Sequence, residues 1–177
     1  MLHTAHYPSP LGDILLAADS EGLTGLWFEG HRHFGRGLSA DARDQEIPLL
    51  RDAKRWLDIY FSGREPDFAV PVHSAGTPFQ LAVWRILLAI PYGRTMTYGE
   101  IAREFEKGED GPRMAAQAVG GAVGRNPVSI FVPCHRVVGA NGSLTGYGGG
   151  IGRKARLLEL EGADMRRLFV PKKGTAL

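Results

Sequence analysis

Two helix-start signals lie close together in the middle of the chain, and they constrain the fold more than any other feature. Thr77-Pro78-Phe79-Gln80 combines a capping threonine, a proline at the first helical position and a glutamine at the third. Thr97-Tyr98-Gly99-Glu100 is a second capping box. Between them, Pro91-Tyr92-Gly93 ends the first helix near Ile90. The chain from residue 77 onward is therefore predicted to begin with two successive short helices, the second running from Tyr98 to about Phe105.

A third helix is predicted from Arg113 to Val123, after the polar turn EKGEDGP. Its sequence, RMAAQAVGGAV, gives it a smooth face of alanine and glycine. The second and third helices, with this turn between them, form either a helix-turn-helix or an ordinary helical hairpin, and the pattern alone leaves both open. GRKARLLELEGA predicts a last helix near the end of the chain.

The first half of the chain predicts a mixture of strands and one helix. Asp13–Ala18 and Leu23–Glu29 flank a turn-like segment and predict a hairpin. IPLLRDAKRWLDIYF places its apolar residues on one stripe of a helix that ends at Ser62-Gly63. The short apolar runs FAVPV, in this half, and VSIFV, before the cysteine, are each predicted to be strands.

Charge and cysteine content narrow the class of protein. Residues 1–91 hold 8 Lys and Arg against 11 Asp and Glu, whereas residues 92–177 hold 13 against 8. A basic second half fits either a polyanionic partner or a solvated basic face. One cysteine excludes an intramolecular disulfide. The apolar runs are too short to span a bilayer and the first residues resemble no signal peptide, so we expect a cytoplasmic protein that contacts no membrane.

That cysteine, Cys134, lies in the segment VPCHRVV. It is either a packed core residue or a nucleophile, and a nucleophilic thiol needs a base or a positive field close by. His135 could accept its proton if PCHR turns, and Glu161 could orient the imidazole. A metal site is weakly supported, since there is no second cysteine and the remaining histidines show no chelating spacing near Cys134.

Five segments together carry a family resemblance. They are SPLGDILLAADSEGLTGLWFEG, GTPFQLAVWRILLAIPYGRTMTYGEIA, NPVSIFVPCHRVVG, NGSLTGYGGG and RKARLLELEGA. In this order they resemble the O6-alkylguanine-DNA alkyltransferase family, which keeps the alkyl group of a damaged base on its own cysteine. The resemblance implies an α/β protein of the α+β type. Residues 1–76 would form a small mixed β-sheet domain with a helix, and residues 77–177 a mostly helical domain with a helix-turn-helix.

The resemblance assigns a role to each of five catalytic residues. Cys134 attacks the alkyl carbon on O6 of guanine and keeps the group as a thioether, so each molecule acts once. His135 removes the thiol proton through a water, and Glu161 orients that histidine. Asn126 braces the turn that presents the cysteine, and Tyr98 protonates or hydrogen-bonds the departing guanine. No cofactor and no metal, including the structural zinc of some members, is implied.

The resemblance also implies a partner, double-stranded DNA containing alkylated guanine, bound by a monomer. The base must leave the stack to be reached. Tyr147 lies in the loop over the base pocket, and the backbone amide of Gly148 lies near O6. The remaining expected DNA contacts are Gln117, Arg113 and Arg136. Small residues in the third helix suit the minor groove, which is only about 6 Å wide.

Two departures from the family pattern leave alternatives open. Gln117 replaces the arginine that usually takes the space of the flipped base, and the turn EKGEDGP is longer and more acidic than usual. With Gln117 in place of the arginine, we expect either weaker binding to duplex DNA or a contribution of Arg113 to that binding. A damage-binding protein without transfer activity and a Cys-His thiol hydrolase are the two rival functions.

Overall fold

The computed structural model describes residues 1–108 and 116–172, and the chain forms two compact units. The first unit holds Met1–Ala75 together with Pro127–Phe131. The second holds Gly76–Asn126 and the chain from Val132 onward. The first contains a sheet and a helix, and the second is mainly helical, which confirms the predicted mixed α/β class.

A four-stranded sheet forms most of the first unit. Its strands are β1 (His3–Ser9), β2 (Gly12–Ala18), β3 (Leu23–Phe28) and β4 (Arg43–Asp44), in the spatial order β3-β2-β1-β4. Neighbouring strands are antiparallel except β1 and β4, which are parallel. The predicted hairpin is confirmed as β2 and β3, but β1 was missed. Its signal is the alternation of buried Ala5 and Tyr7 with exposed His6.

Helix α1 (Pro48–Phe61) contacts β1 and β2. Its predicted apolar stripe is confirmed, because the side chains that it buries recur at helical spacing: Leu50, Ala53, Leu57 and Tyr60. The helix ends where expected. Gly63 adopts φ 84° and donates its N–H to the carbonyl of Tyr60, a conformation that glycine adopts without steric cost.

The other two predicted strands are wrong. In FAVPV, Val72 makes only an isolated bridge with Leu23, and Pro71 has no N–H with which to extend a ladder. In VSIFV, Ile130 adopts φ 71°, and the N–H of Phe131 bonds to the carbonyl of Ser129 at 2.9 Å. This tight turn breaks the strand despite its β-branched sequence. The burial of Ile130, which is 1% exposed, offsets a backbone strain of about 1–3 kcal/mol.

Two of the four α-helices described in the second unit begin at the predicted caps. The four are α2 (Pro78–Leu88), α3 (Tyr98–Glu106), α4 (Ala116–Gly124) and α5 (Ile151–Leu160). Thr77 with Gln80, and Thr97 with Glu100, each make both hydrogen bonds of a capping box. Both capping predictions are therefore confirmed. The predicted start of the third helix at Arg113, and most of the turn before it, lie outside the described residues.

A pair of short strands places the start of α3 next to the cysteine segment. Strand β5 (Met96–Thr97) pairs in parallel with β6 (Val137–Val138), so the start of α3 lies beside the chain that follows Cys134. Helix α2 contacts both α3 and α4, and the indole Nε1 of Trp84 donates to the carbonyl of Ala122 at 2.9 Å. None of the helices in the described part of the chain is long and apolar enough to cross a membrane.

Candidate active site

Cys134 begins a short 3₁₀ helix, Cys134–Arg136, and is buried. Its N–H donates to the carbonyl of Val132 at 2.8 Å, and the side-chain amide of buried Asn126 donates to the same carbonyl at 2.8 Å. PCHR therefore turns, where a strand would have directed consecutive side chains to opposite faces. Asn126, eight residues before the thiol, thus helps to hold this turn.

His135 and Glu161 form a fully buried pair. Nε2 of His135 lies 2.7 Å from Oε1 of Glu161, and both side chains have 0% exposure. Burial lowers the pKa of His135 against the opposing hydrogen bond and charge of Glu161. Burial raises the pKa of Glu161, but hydrogen bonds and charges of His135 and Arg136 outweigh it and lower that pKa to about 2. The pair is thus a neutral imidazole that donates from Nε2 to a carboxylate.

Arg136 supplies the cation that balances this carboxylate. Its Nε donates to Oε2 of Glu161 and its Nη2 to Oε1, both at 2.9 Å. Its Nη1 donates to the carbonyl of Ile90 at 2.7 Å. The residue is 9% exposed. The expected contact of Arg136 with DNA stays a prediction, and the structure directs its guanidinium to Glu161 and to the end of α2.

Tyr98 and Lys154 converge on the carbonyl of Thr145. The hydroxyl of Tyr98 donates to it at 3.2 Å and Nζ of Lys154 at 3.0 Å, while Nζ also donates to the carbonyl of Val137. Burial, with a contribution from the charge of Cys134, raises the pKa of Tyr98 to about 12. Burial lowers the pKa of Lys154 to about 8. Tyr98 is therefore a protonated donor at neutral pH.

The loop before α5 contains the two residues expected near the base. Tyr147 is buried, with its carbonyl accepting the N–H of Gly150, and Gly148 is half-buried. Gly150 adopts φ 97°, which allows the loop to turn into α5. Both expected residues therefore lie in the short stretch between the carbonyl of Thr145 and the first turn of α5.

Helix α4 presents a face without large side chains. Gln117 is exposed on it, and a methyl group added at Gly121 would meet no atom within 4 Å. A methyl group added at Gly120 would lie 3.7 Å from the ring of Tyr98, which places this helix beside the tyrosine of the site. Arg113 lies outside the described residues. Among residues 1–108 and 116–172, no three His, Cys, Asp or Glu side chains are grouped to hold a metal ion.

Comparison with known proteins identifies the family of this chain. Residues 78–163 match the family model of the 6-O-methylguanine DNA methyltransferase DNA binding domain, and residues 2–74 match that of its ribonuclease-like domain. A methylated-DNA--protein-cysteine methyltransferase of Methanosarcina acetivorans is 44% identical over 166 residues, which cover 92% of this chain and 99% of that protein. The chain belongs to the 6-O-methylguanine DNA methyltransferase family.

Two further members of the family are also similar over most of their length. The inducible methylated-DNA--protein-cysteine methyltransferase of Bacillus subtilis is 52% identical over 160 residues, covering 90% of this chain and 84% of that protein. The crystal structure of Mycobacterium tuberculosis OGT in complex with DNA superposes with a TM-score of 0.76 at 42% identity. The superposition covers 90% of this chain and 92% of the Mycobacterium tuberculosis OGT chain.

Two polar groups of this site were missed from the sequence. Lys154 is fully buried, and the N–H of Gly93 donates to Oε2 of Glu161 at 3.2 Å. Lys154 had a detectable signal, because Lys154, Leu157, Leu158 and Glu161 follow the spacing of one buried helical face. Gly93 had only its place in a helix-ending turn, and contact with Glu161 cannot be read from that.

Proposed function

We propose that this protein repairs DNA directly by transferring a methyl or other alkyl group from O6 of guanine to Sγ of its own Cys134. The observation that carries the proposal is the 2.7 Å contact between Nε2 of His135 and Oε1 of Glu161. His135 directly follows Cys134, the single cysteine of the chain. A thiol followed by an oriented, neutral imidazole is the arrangement that activates a cysteine nucleophile. Family membership supports the choice of substrate.

The chemistry of one turnover follows from these groups. His135 accepts the thiol proton of Cys134, directly or through a water, and the resulting thiolate attacks the alkyl carbon. The new S–C bond forms with the sulfur electron pair as the C–O6 bond breaks, and its electrons leave on guanine. Tyr98 donates a hydrogen bond or a proton to this anion, because its pKa of about 12 keeps it protonated at neutral pH. The thioether is stable, so each molecule acts once.

Double-stranded DNA is the proposed partner. A guanine within the stack is beyond reach of a buried thiol, so the nucleotide must flip out at a cost of a few kcal/mol. Helix α4 suits a close approach to the narrow minor groove because Gly121 leaves its surface open. Gln117 is the exposed side chain of this helix proposed to meet the duplex, with Arg113 as a second contact.

Four finer points belong to the same proposal. O4-methylthymine is repaired less readily than O6-methylguanine. Residues 1–76 and 77–177 are the two domains, and only the second carries the reaction. The protein works as a monomer in the cytoplasm, where a reducing environment keeps its one thiol reactive. The reaction needs no cofactor.

A repair assay tests the proposal. Increasing amounts of protein are added to a duplex oligonucleotide with one O6-methylguanine, and restored guanine is counted by chromatography. We expect one guanine restored per protein molecule and none with Cys134→Ser. Ser20→Ala, on an exposed turn of the first unit, is the matched control and should repair like the wild type.

The two rival functions give different results in the same assay. A damage-binding protein would retain the modified duplex tightly while restoring no guanine. A thiol hydrolase would leave the duplex unchanged and would turn over an ester or amide many times per molecule. Repair that persists in Cys134→Ser would contradict both the proposed nucleophile and the proposed mechanism.

A further inference from the structure

Arg136 is held at three points, all of them inside the site. Its guanidinium donates to both carboxylate oxygens of Glu161 and to the carbonyl of Ile90. Its charge also lies over the ring of Tyr92, 5.7 Å from the centroid. A guanidinium with these partners and 9% exposure is built into the protein interior. A side chain that reads phosphates would instead extend toward solvent.

We infer that Arg136 is a positioning residue for alkyl transfer, fixing the carboxylate of Glu161 in the one orientation that meets Nε2 of His135. The inference rests on the proposed function of Cys134 and deepens it. It assigns to Arg136 a role inside the catalytic network in place of the expected contact with DNA.

The geometry of the fork supports this role. Planar guanidinium matches a carboxylate with two parallel hydrogen bonds, so it fixes the carboxylate plane as well as its position. Oε1 of Glu161 accepts from both Nη2 of Arg136 and Nε2 of His135, while Oε2 accepts from Nε of Arg136 and from the N–H of Gly93. Both oxygens are therefore fully engaged, and rotation of the carboxylate would break bonds on each side.

The turn after α2 supplies further hydrogen bonds to Arg136 and Glu161. Gly93 adopts φ 74°, and a methyl group added there would lie 2.9 Å from the backbone carbonyl of Glu161. Glycine is thus required both by its backbone conformation and by the close approach. The turn brings the carbonyl of Ile90 to Arg136 and the N–H of Gly93 to Glu161, so one turn anchors both partners of the ion pair.

Charge balance gives Arg136 a second effect on the same pair. The charged groups that act on His135 are Glu161, Arg136 and Lys154, and the charges of Arg136 and Lys154 both lower its pKa. Tyr92 lies against the guanidinium of Arg136. With Arg136 present, the carboxylate is neutralised and the imidazole stays neutral, as a base must be. Without it, the buried carboxylate would draw a proton onto His135, and the imidazole could not accept the thiol proton at neutral pH.

Rates of alkyl transfer across a pH series test the inference. Arg136→Lys keeps a cation but loses the fork, and we expect transfer to slow by about 10-fold to 100-fold, the size of effect seen when a group that orients a metal-binding histidine is lost. Arg136→Met should in addition shift the rate profile to higher pH. Arg166→Met is the matched control, because Arg166 makes the same two-bond fork to Asp164 on the exposed surface.

A double variant guards against a merely structural effect. If Arg136 acts through Glu161, adding Arg136→Met to Glu161→Gln should slow transfer by less than about twofold beyond Glu161→Gln alone. Independent losses that multiply would overturn the inference, and so would an Arg136→Lys variant with the wild-type rate and pH profile.

Two further measurements separate this role from a DNA contact. The rate should fall equally with the free O6-methylguanine nucleoside, while the Kd for duplex DNA and its salt dependence stay unchanged in Arg136→Met, which removes the charge. A weaker Kd with a shallower salt slope would make Arg136 a phosphate contact and overturn the inference. Wild-type protein that transfers no methyl group at all would instead refute the proposed function, so the two failures are distinguishable.

Discussion

Nε2 of His135 lies 2.7 Å from Oε1 of Glu161, and neither side chain is exposed to solvent. Burying this pair is favourable only while Glu161 is charged and His135 is neutral, because Arg136 and His135 both donate hydrogen bonds to a carboxylate. The pair therefore ties the proposed chemistry of Cys134 to the stability of the second unit.

Acid should destabilise the protein in two stages. The folded pKa of His135 is lowered, so the unfolded chain takes up a proton first and stability begins to fall as pH drops below the ordinary value of 6.5. The folded pKa of Glu161 is lowered from 4.5 to about 2, so its contribution is complete above 4.5 and is lost as pH falls toward 2.

Urea unfolding at a series of pH values measures these two stages. Glu161→Gln should flatten the second stage relative to the wild type, whereas Glu159→Gln, at an exposed position two residues earlier, should not. A Glu161→Gln profile parallel to that of the wild type below pH 4.5 would show that this carboxylate does not carry the acid sensitivity.

Lys154→Met should separate activity from stability. Burial lowers the pKa of Lys154 from 10.5 to about 8, so at neutral pH the folded state carries the full cost of a buried cation. Methionine, of similar size, removes this cost, while the loss of the donor to the carbonyls of Val137 and Thr145 opposes the gain. We expect the free energy of unfolding to stay within about 1 kcal/mol of the wild type or to rise.

Alkyl transfer by Lys154→Met should be slower by about 10-fold, for two reasons. The carbonyl of Thr145, which accepts from the hydroxyl of Tyr98, loses its second donor. The thiol of Cys134 also loses a nearby cation that favours the thiolate. Urea unfolding and single-turnover kinetics on one preparation provide both values. Loss of more than about 3 kcal/mol of stability would mean that Lys154 is a structural requirement.

Gly121→Ala should stabilise the protein and weaken its binding to duplex DNA. The added methyl group meets nothing within 4 Å, so helix α4 gains about 0.5–1 kcal/mol from the better helix former. The same methyl group obstructs a close approach to the minor groove. Gly152→Ala in α5 is the matched control, since that position is equally open.

Thermal unfolding and fluorescence anisotropy with an unmodified duplex provide the comparison. Both variants should gain stability, and only Gly121→Ala should raise the Kd. Equal affinities for both variants would show that this face of α4 does not meet DNA.

Gln117→Arg should tighten duplex binding. The position is exposed on α4, and each additional phosphate contact steepens the dependence of log K on log salt by about 0.9. Ser20→Arg adds the same charge on an exposed turn of the first unit and serves as the control. Binding titrations at several salt concentrations measure both slopes, and an unchanged slope in Gln117→Arg would place the residue away from the duplex.

Local signals predicted the helices well, and strands less well. The caps at Thr77 and Thr97 depend only on residues three positions apart, so the sequence specifies them directly. The strand predicted at VSIFV depends on β propensity, which the turn at Ile130 overrides. Strand β1 was missed because it is partly solvated and polar, so its alternation is weak, and its pairing with β2 identifies it.

The site could be predicted from the sequence only in part. Cys134 and His135 are adjacent, but Glu161 was connected to them only by its chemical type and by family resemblance, and Asn126 by resemblance alone, since contacts across the fold leave no local pattern. Lys154 was missed because a lysine on an apolar stripe is usually assigned to the surface. The environment of Arg136 depends on the turn after α2, which positions the carbonyl of Ile90.

The mass of the intact protein tests the central claim most directly. After incubation with an excess of duplex DNA containing O6-methylguanine, the wild type should gain the mass of one CH₂ group and then stop, with peptide mapping locating the methyl group on Cys134. Cys134→Ser should gain nothing. An unchanged wild-type mass, a second methyl group, or a methyl group on another residue would contradict the account.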